Sequence, residues 1–318
     1  MKITKVKPYN KKMSVTSSYK SSIQDFTPDL YTIGENSPRR PYRSQPNPSN
    51  VHWGQLKLFA TEVLFMTDYV RNTGCRTVIY VGAGPGHHLK VLAKMFPGYV
   101  FHLYDDHFDR SLESISNIRV HLKYFDEEEC DLYRDVKTCF ISDIRNLSFK
   151  KAGGWSADEE LKVLDDLKMQ RVWVERLRPM YSMLKFRTPF FDPSVVSTLG
   201  RDYIEYFRGE ILRQCFAGPS SIETRLIVGE QDIDNITRYG LKEYEERLFF
   251  HNTTTRQVVY RFPYTKYYDT VKLNRGHLDH RYDSAYLMTV LDRYLTLCTD
   301  KNEPQRYLAS VNLLKKIE

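Results

Sequence analysis

The run Thr77-Val78-Ile79-Tyr80-Val81-Gly82-Ala83-Gly84-Pro85-Gly86-His87-His88 constrains this chain more than any other stretch. A β-branched apolar segment ends in three glycines two residues apart, and Leu89, Val91, Leu92 and Phe96 then recur at helical spacing. The pattern reads as strand, glycine loop, helix. Glycines at i, i+2 and i+4 let a backbone turn sharply and approach a ligand closely, and the helix behind them offers free N–H groups to a carboxylate. The dinucleotide fingerprint Gly82-x-Gly84-x-x-Gly fails, because His87 stands where its third glycine belongs. A G-x-G-x-G loop suits S-adenosylmethionine better, and a ligand-free βα turn is the bland alternative.

Bulk properties exclude several classes. With 318 residues and 41% hydrophobic content, the chain can bury one large α/β domain, alone or with a tail. No apolar run approaches the about 20 residues needed to cross a bilayer, and the first fifty residues lack the apolar stretch of a signal peptide. A cytoplasmic protein with no membrane partner is the expectation. The cysteines at 75, 130, 139, 215 and 298 form no C-x-x-C pair and have no histidine at ligand spacing, so neither a disulfide framework nor a structural metal is expected. The net charge of +7 favours an anionic partner, and much of it sits in residues 1–50, whose nine Lys and Arg face three acids. A solvated, disordered arm is the simplest reading of that leader. The 23 tyrosines, together with arginine, suit stacking on bases and gripping phosphates.

In chain order, residues 1–50 form a basic leader that becomes structured near residues 26–31. A helix is predicted over residues 54–72 and strands over 99–104, 118–125 and 136–142. Each strand delivers acids at its C-terminal end: Asp105-Asp106, Asp126-Glu127-Glu128 and Asp143. Open parallel sheets bind ligands at that edge, and Asp105 follows the glycine loop by about 20 residues, the spacing of a ribose-binding carboxylate. A long helix over 157–176 follows, then a strand over 181–187 in which Lys185 interrupts apolar residues. That lysine is either functional or a guard against edge pairing. Further strands are predicted at 203–215, 223–228 and around 256–262, with helices at 241–252 and 285–298.

Lys57, Asp143, Lys185 and Glu223 each stand at the edge of a core element, in the order K, D, K, E. With the segments Gly54-Gln55-Leu56-Lys57-Leu58, Phe125-Asp126-Glu127-Glu128, Ile141-Ser142-Asp143-Ile144-Arg145, Leu184-Lys185-Phe186-Arg187-Thr188-Pro189-Phe190 and Glu223-Thr224-Arg225-Leu226, the chain resembles the S-adenosylmethionine-dependent RNA ribose 2′-O-methyltransferases. Within them it is most similar to the poxvirus cap-specific enzymes that double as a poly(A) polymerase small subunit. The collinear segments cover roughly residues 50–252. The resemblance implies a Rossmann-like α/β methyltransferase domain over 51–302, a leader over 1–50 that reaches the cap site near its end, and a tail over 303–318.

It also implies roles. A ribose 2′-hydroxyl is a poor nucleophile whose proton must leave as the new bond forms. Lys185 would take that proton, while Lys57 and Glu223 position the hydroxyl and Asp143 sits between lysine and cofactor. Tyr80, Gly82, Gly86 and His88 would take the methionine end, with Gln55 nearby; Asp105 would take the ribose and Phe125 flank the adenine, and His107, Asp143 and Arg145 also belong to the cofactor site. Two departures stand out: the family's G-S-A-P-G loop is G-A-G-P-G here, and His107 replaces a familiar arginine. N7-methylguanine is a delocalised cation that aromatic stacking and carboxylates select. The resemblance assigns Phe190 and Tyr31 as the stacking rings, Asp192 and Glu245 as edge acceptors, and Arg187 to RNA phosphate. The implied partners are m7G-capped RNA and a poly(A) polymerase catalytic subunit. A non-catalytic RNA-binding subunit and a cap-independent ribose methyltransferase are the alternatives.

Overall fold

A computed structural model describes residues 31–44, 51–145, 156–259 and 281–302, with scattered positions to 316. Its centre is an eight-stranded sheet built from β1 (Thr32–Ile33), β2 (Thr77–Val81), β3 (Val100–Asp105), β4 (Ile118–Leu122), β5 (Thr138–Ser142), β6 (Tyr181–Phe186), β8 (Glu210–Leu212) and β9 (Thr224–Gly229). The spatial order is β1-β8-β9-β6-β5-β2-β3-β4. Strands β2 to β6 pair in parallel, and β9, β8 and β1 add on antiparallel. Two further strands, β7 (Tyr203–Phe207) and β10 (Ile236–Gly240), form a separate antiparallel pair.

Alternation along each strand divides the core in two. Val78, Tyr80, Cys139, Ile141 and Met183 face one cluster, shared with α1 (Val51–Phe65), α2 (Leu89–Met95) and the late helix Arg281–Cys298. Ile79, Val81, Phe140, Leu184 and Phe186 face the other, which includes Leu167, Trp173 and Val174 of helix Val163–Leu177. This is the helix–sheet–helix sandwich of a Rossmann-like fold. Among the described residues no helix is long and apolar enough to cross a membrane.

The parallel order places the functional edge. From β2 the chain steps outward through β3 to β4, then returns to β5 on the opposite side of β2. Ligands of open α/β sheets bind where the order reverses, at the carboxyl ends of β2 and β5. Gly82 and Asp143 occupy that point, and Asp143 N–H donates to the Val81 carbonyl (2.8 Å).

The sequence expectation departs from the structure in three elements. The strand predicted at 203–215 is two strands in different sheets, broken at Arg208-Gly209, where a Cβ on residue 209 would strike the backbone of Ile227. The helix predicted at 157–176 is two, Ala157–Leu161 and Val163–Leu177. Residues 251–259, partly predicted as strand, form wide helical turns continuing the helix Leu241–Phe250. Their β-branched Thr and Val misled, because strand preference depends on the surface available. The rest of the strand predicted there, residues 260–262, lies outside the described residues. The leader, for its part, contributes β1 to the sheet edge.

Candidate active site

Strand parity builds the site. Lys185 and Arg225 sit opposite each other in the β6–β9 register, two residues beyond Met183 and two before Ile227 respectively. Met183 and Ile227 belong to the α1 side of the core, so both cations project towards α1. Lys57 meets them from the first turns of that helix.

Two carboxylates gather four cations around them. Lys57 Nζ donates to Glu223 Oε1 (2.8 Å), and Lys185 Nζ lies 3.6 Å from Glu223 Oε2 and 3.2 Å from Asp143 Oδ1. Arg225 Nη2 donates to the same Asp143 oxygen (2.6 Å). Arg145 Nη2 stands 3.9 Å from Glu223, and its Nη1 bonds the fully buried Asp166. Gln214, with its amide oriented to suit both neighbours, donates to Glu223 Oε1 (3.3 Å) and accepts from Arg225 Nε (3.2 Å). The four expected tetrad residues therefore converge, and Arg225 and Gln214 join them.

The electrostatics follow from this crowding. Burial would raise the Asp143 carboxyl, but Arg225 and Lys185 outweigh it and hold it below its usual range. Burial likewise opposes ionisation of Glu223, yet Lys185, Lys57 and Arg225 bring it well below the usual range. Arg225 is 2% exposed and sits higher than an ordinary arginine, because Asp143 and Glu223 more than offset its desolvation. Both carboxylates are thus ionised acceptors in a partly dehydrated cluster.

The glycine loop lies beside this cluster. Gly82 has φ +75°, and a Cβ there would come within 2.8 Å of the Asp143 carbonyl carbon. The loop departure at Gly84 has a local reason: a Cβ would stand 2.8 Å from Asp105 Cγ, and Gly84 N–H donates to Asp105 Oδ2 (2.8 Å). Gly86 closes the loop, its carbonyl accepting from Leu89 N–H (2.9 Å). Burial pushes the Asp105 carboxyl up against the pull of the Gly84 N–H. Asp105, Asp106 and His107 form a hydrogen-bonded group, with Tyr124 donating to Asp106 (2.9 Å).

Several expected cofactor residues turn inward. Tyr80 and His88 are 1% exposed and share a buried network with Gln55 and Glu62, a carboxylate the sequence reading missed. They support the loop from beneath. The Phe125 ring packs in the core against Tyr104 and Trp173, while Tyr124 beside it is 74% exposed.

The expected cap residues divide. Glu245 is buried and accepts the Phe191 N–H (2.9 Å). Burial raises its carboxyl to about 7. Asp192 caps helix Pro193–Leu199 through Ser194 N–H (2.8 Å). Two expected residues lie in the interior. Tyr31 is buried edge-on against Tyr286 (centroids 4.8 Å), because β1 pairing carries it into the core, and Tyr42 instead stands 5.2 Å from the Phe190 ring. Arg187 is buried and bound by both oxygens of Glu160, with its guanidinium over Phe190 at 5.3 Å, so it is engaged within the protein rather than presented to solvent.

Residues 27–283 match the family described as Poly A polymerase regulatory subunit. The fowlpox virus (strain NVSL) cap-specific mRNA (nucleoside-2′-O-)-methyltransferase is 31% identical over 264 residues, 75% of each chain. The protein of the same description from myxoma virus (strain Lausanne) is 29% identical over 231 residues, 67% of this chain and 65% of the viral protein.

Proposed function

The chain belongs to the family of poly(A) polymerase regulatory subunits, and on that premise we propose that it is a cap-specific mRNA 2′-O-methyltransferase. It transfers a methyl group to the ribose 2′-oxygen of the first transcribed nucleotide of m7G-capped RNA. The observation that carries the reading is the convergence of Lys57, Asp143, Lys185 and Glu223 beside the glycine loop. Such a cluster has no need to exist in a subunit that only grips RNA, since buried charge is expensive to assemble.

The residues present fit S-adenosylmethionine. Gln55 Nε2 has no partner among the described residues, Asp105 stands at the ribose position with Gly84 closing on it, and the loop leaves no room for side chains there. When bound, that cofactor supplies an electrophilic methyl on a sulfonium. Lys185, in its neutral form, accepts the proton of the 2′-hydroxyl, and Asp143 and Glu223 fix its Nζ from two sides. Lys57, held by Glu223, orients the hydroxyl. Arg225 keeps Asp143 ionised and in place. Alignment of the reacting atoms accounts for much of the rate.

Phe190, Asp192 and Glu245 form the proposed cap pocket, with Tyr42 seated against the Phe190 ring where the base would enter. The family description supports a second role, as partner of a poly(A) polymerase catalytic subunit, testable by pull-down with such a subunit. Similarity to viral proteins supports action in the cytoplasm of an infected cell or in the virion. Incubating purified protein with labelled cofactor and matched capped and uncapped transcripts tests the main reading. Transfer to the capped transcript alone is expected; cofactor binding without any transfer would leave only the RNA-binding role, and equal transfer would mean a cap-independent enzyme.

A further inference from the structure

Beneath the glycine loop lies a buried polar chain of which the chemistry above uses only Gln55. Glu62 is 0% exposed and His88 1% exposed, in a layer otherwise filled by Phe59, Val63 and Leu89. A carboxylate and an imidazole so placed are costly unless every polar atom has a purpose. Gln55 and Glu62 stand two helical turns apart on α1, hence on one face, and they grip the two ring nitrogens of His88 from opposite sides. Nδ1 lies 2.7 Å from Gln55 Oε1, and Nε2 lies 2.9 Å from both oxygens of Glu62. Tyr80 hydroxyl donates to Glu62 Oε1 (2.7 Å).

Counting hydrogens fixes the direction of the chain. Gln55 Oε1 also accepts the backbone N–H of His88 (3.3 Å), so the amide oxygen, not its NH2, faces the histidine. Nδ1 must then carry a hydrogen. Glu62 sets Nε2, either as carboxylate to an imidazolium or as the proton donor to a neutral ring, and either way holds the ring so that Nδ1–H points at Gln55. With its oxygen taken twice, the Gln55 carboxamide can only turn its NH2 outward, where no described residue receives it. A half-buried amide presenting donors alone matches an anionic, acceptor-only group.

We infer that Glu62 is a positioning residue: acting through His88, it fixes Gln55 with its NH2 towards the carboxylate of the amino-acid end of the cofactor. The inference rests on the proposed methyltransferase reading and adds a division of labour to it. Asp105 holds the adenosine half, and the Glu62–His88–Gln55 chain selects the amino-acid half. Tyr80, on the strand that feeds the loop, completes the support.

Two ligands separate these halves: S-adenosylhomocysteine, which has the carboxylate, and methylthioadenosine, which lacks the amino-acid end. Titration calorimetry with the full chain should show Glu62→Gln binding S-adenosylhomocysteine about tenfold more weakly, with methylthioadenosine affinity changed less than twofold. In a Gln55→Leu background, Glu62→Gln should have no further effect on S-adenosylhomocysteine. Equal losses for both ligands would mean that Glu62 merely holds the fold, and no loss for either would remove its role; each overturns the inference. Should Glu62→Gln fail to fold, Gln55→Glu on the helix surface serves instead. It places like charge against the carboxylate and should lose S-adenosylhomocysteine selectively, and an unselective loss or none would again overturn the inference. Wild-type protein that binds neither ligand would instead defeat the methyltransferase reading itself.

Discussion

The two halves of the proposed site are built on different terms. In the catalytic half, Lys57, Asp143, Lys185, Glu223 and Arg225 come from one helix and the ends of paired strands, and each charge already faces its opposite. In the cap half, the ring meant to stack on a base is already engaged, with Arg187 over Phe190 and Tyr42 against it. One half is preorganised and the other must exchange contacts to bind. Rigid elements hold reacting groups, whereas an arm and a loop admit a large substrate.

The largest expected effect lies in the preorganised half. Lys185→Ala should lower methyl transfer by about 10²–10⁴-fold, the usual worth of a general base, while S-adenosylhomocysteine and cap-analogue binding stay within twofold. Parallel loss of cofactor binding or of the folded state would make Lys185 structural. Arg225→Met tests the same half energetically. It removes one of the two cations on the half-buried Asp143, leaving Lys185, and should cost about 1.5–3 kcal/mol in denaturant unfolding; an unchanged midpoint would mean that Lys185 and water already satisfy that charge.

The cap half predicts smaller changes. Glu245 must be ionised to accept from and attract a cationic purine, and its carboxyl is raised to about 7. Below that pH it is neutral and above it charged, so cap-analogue affinity should rise with pH across neutrality, by about tenfold for a contact worth 1.4 kcal/mol. Glu245→Gln should flatten the profile, and a slope that survives substitution would assign it elsewhere. Tyr42→Ala removes the ring a base must displace. Aromatic pairs are worth about 0.5–1.5 kcal/mol, so cap affinity should strengthen a few-fold; weakening would instead make Tyr42 a stacking partner of the cap. Tyr31→Phe, in the core, should leave cap affinity unchanged within twofold.

The same contrast decides what the sequence could tell. Asp143 and Lys185 are legible because one ends and the other interrupts an apolar strand pattern, whereas Lys57 reads locally as a surface lysine and is identified only through the family resemblance. Arg225 offered the same signal, a cation between Thr224 and Leu226, but its partner lies 82 residues away and only strand pairing reveals it. Glu62 and Glu160 looked like ordinary helix-surface acids, and burial alone distinguishes them. The choice between Tyr31 and Tyr42 depends on the path of the arm, which the β1–β8 pairing determines and no local pattern encodes. Arg187 looked free for phosphate for the same reason, since Glu160 reaches it from 27 residues away.

The most direct measurement is the position of the transferred methyl. Purified protein would receive labelled S-adenosylmethionine and m7G-capped RNAs that differ only at the first transcribed nucleotide, carrying a 2′-hydroxyl, a 2′-hydrogen or a 2′-O-methyl group. Label on the first RNA alone, recovered after digestion as a 2′-O-methylated first nucleotide, is the predicted result. Equal labelling of all three would place the methyl elsewhere and contradict the assignment of Lys185 and its partners to the ribose hydroxyl.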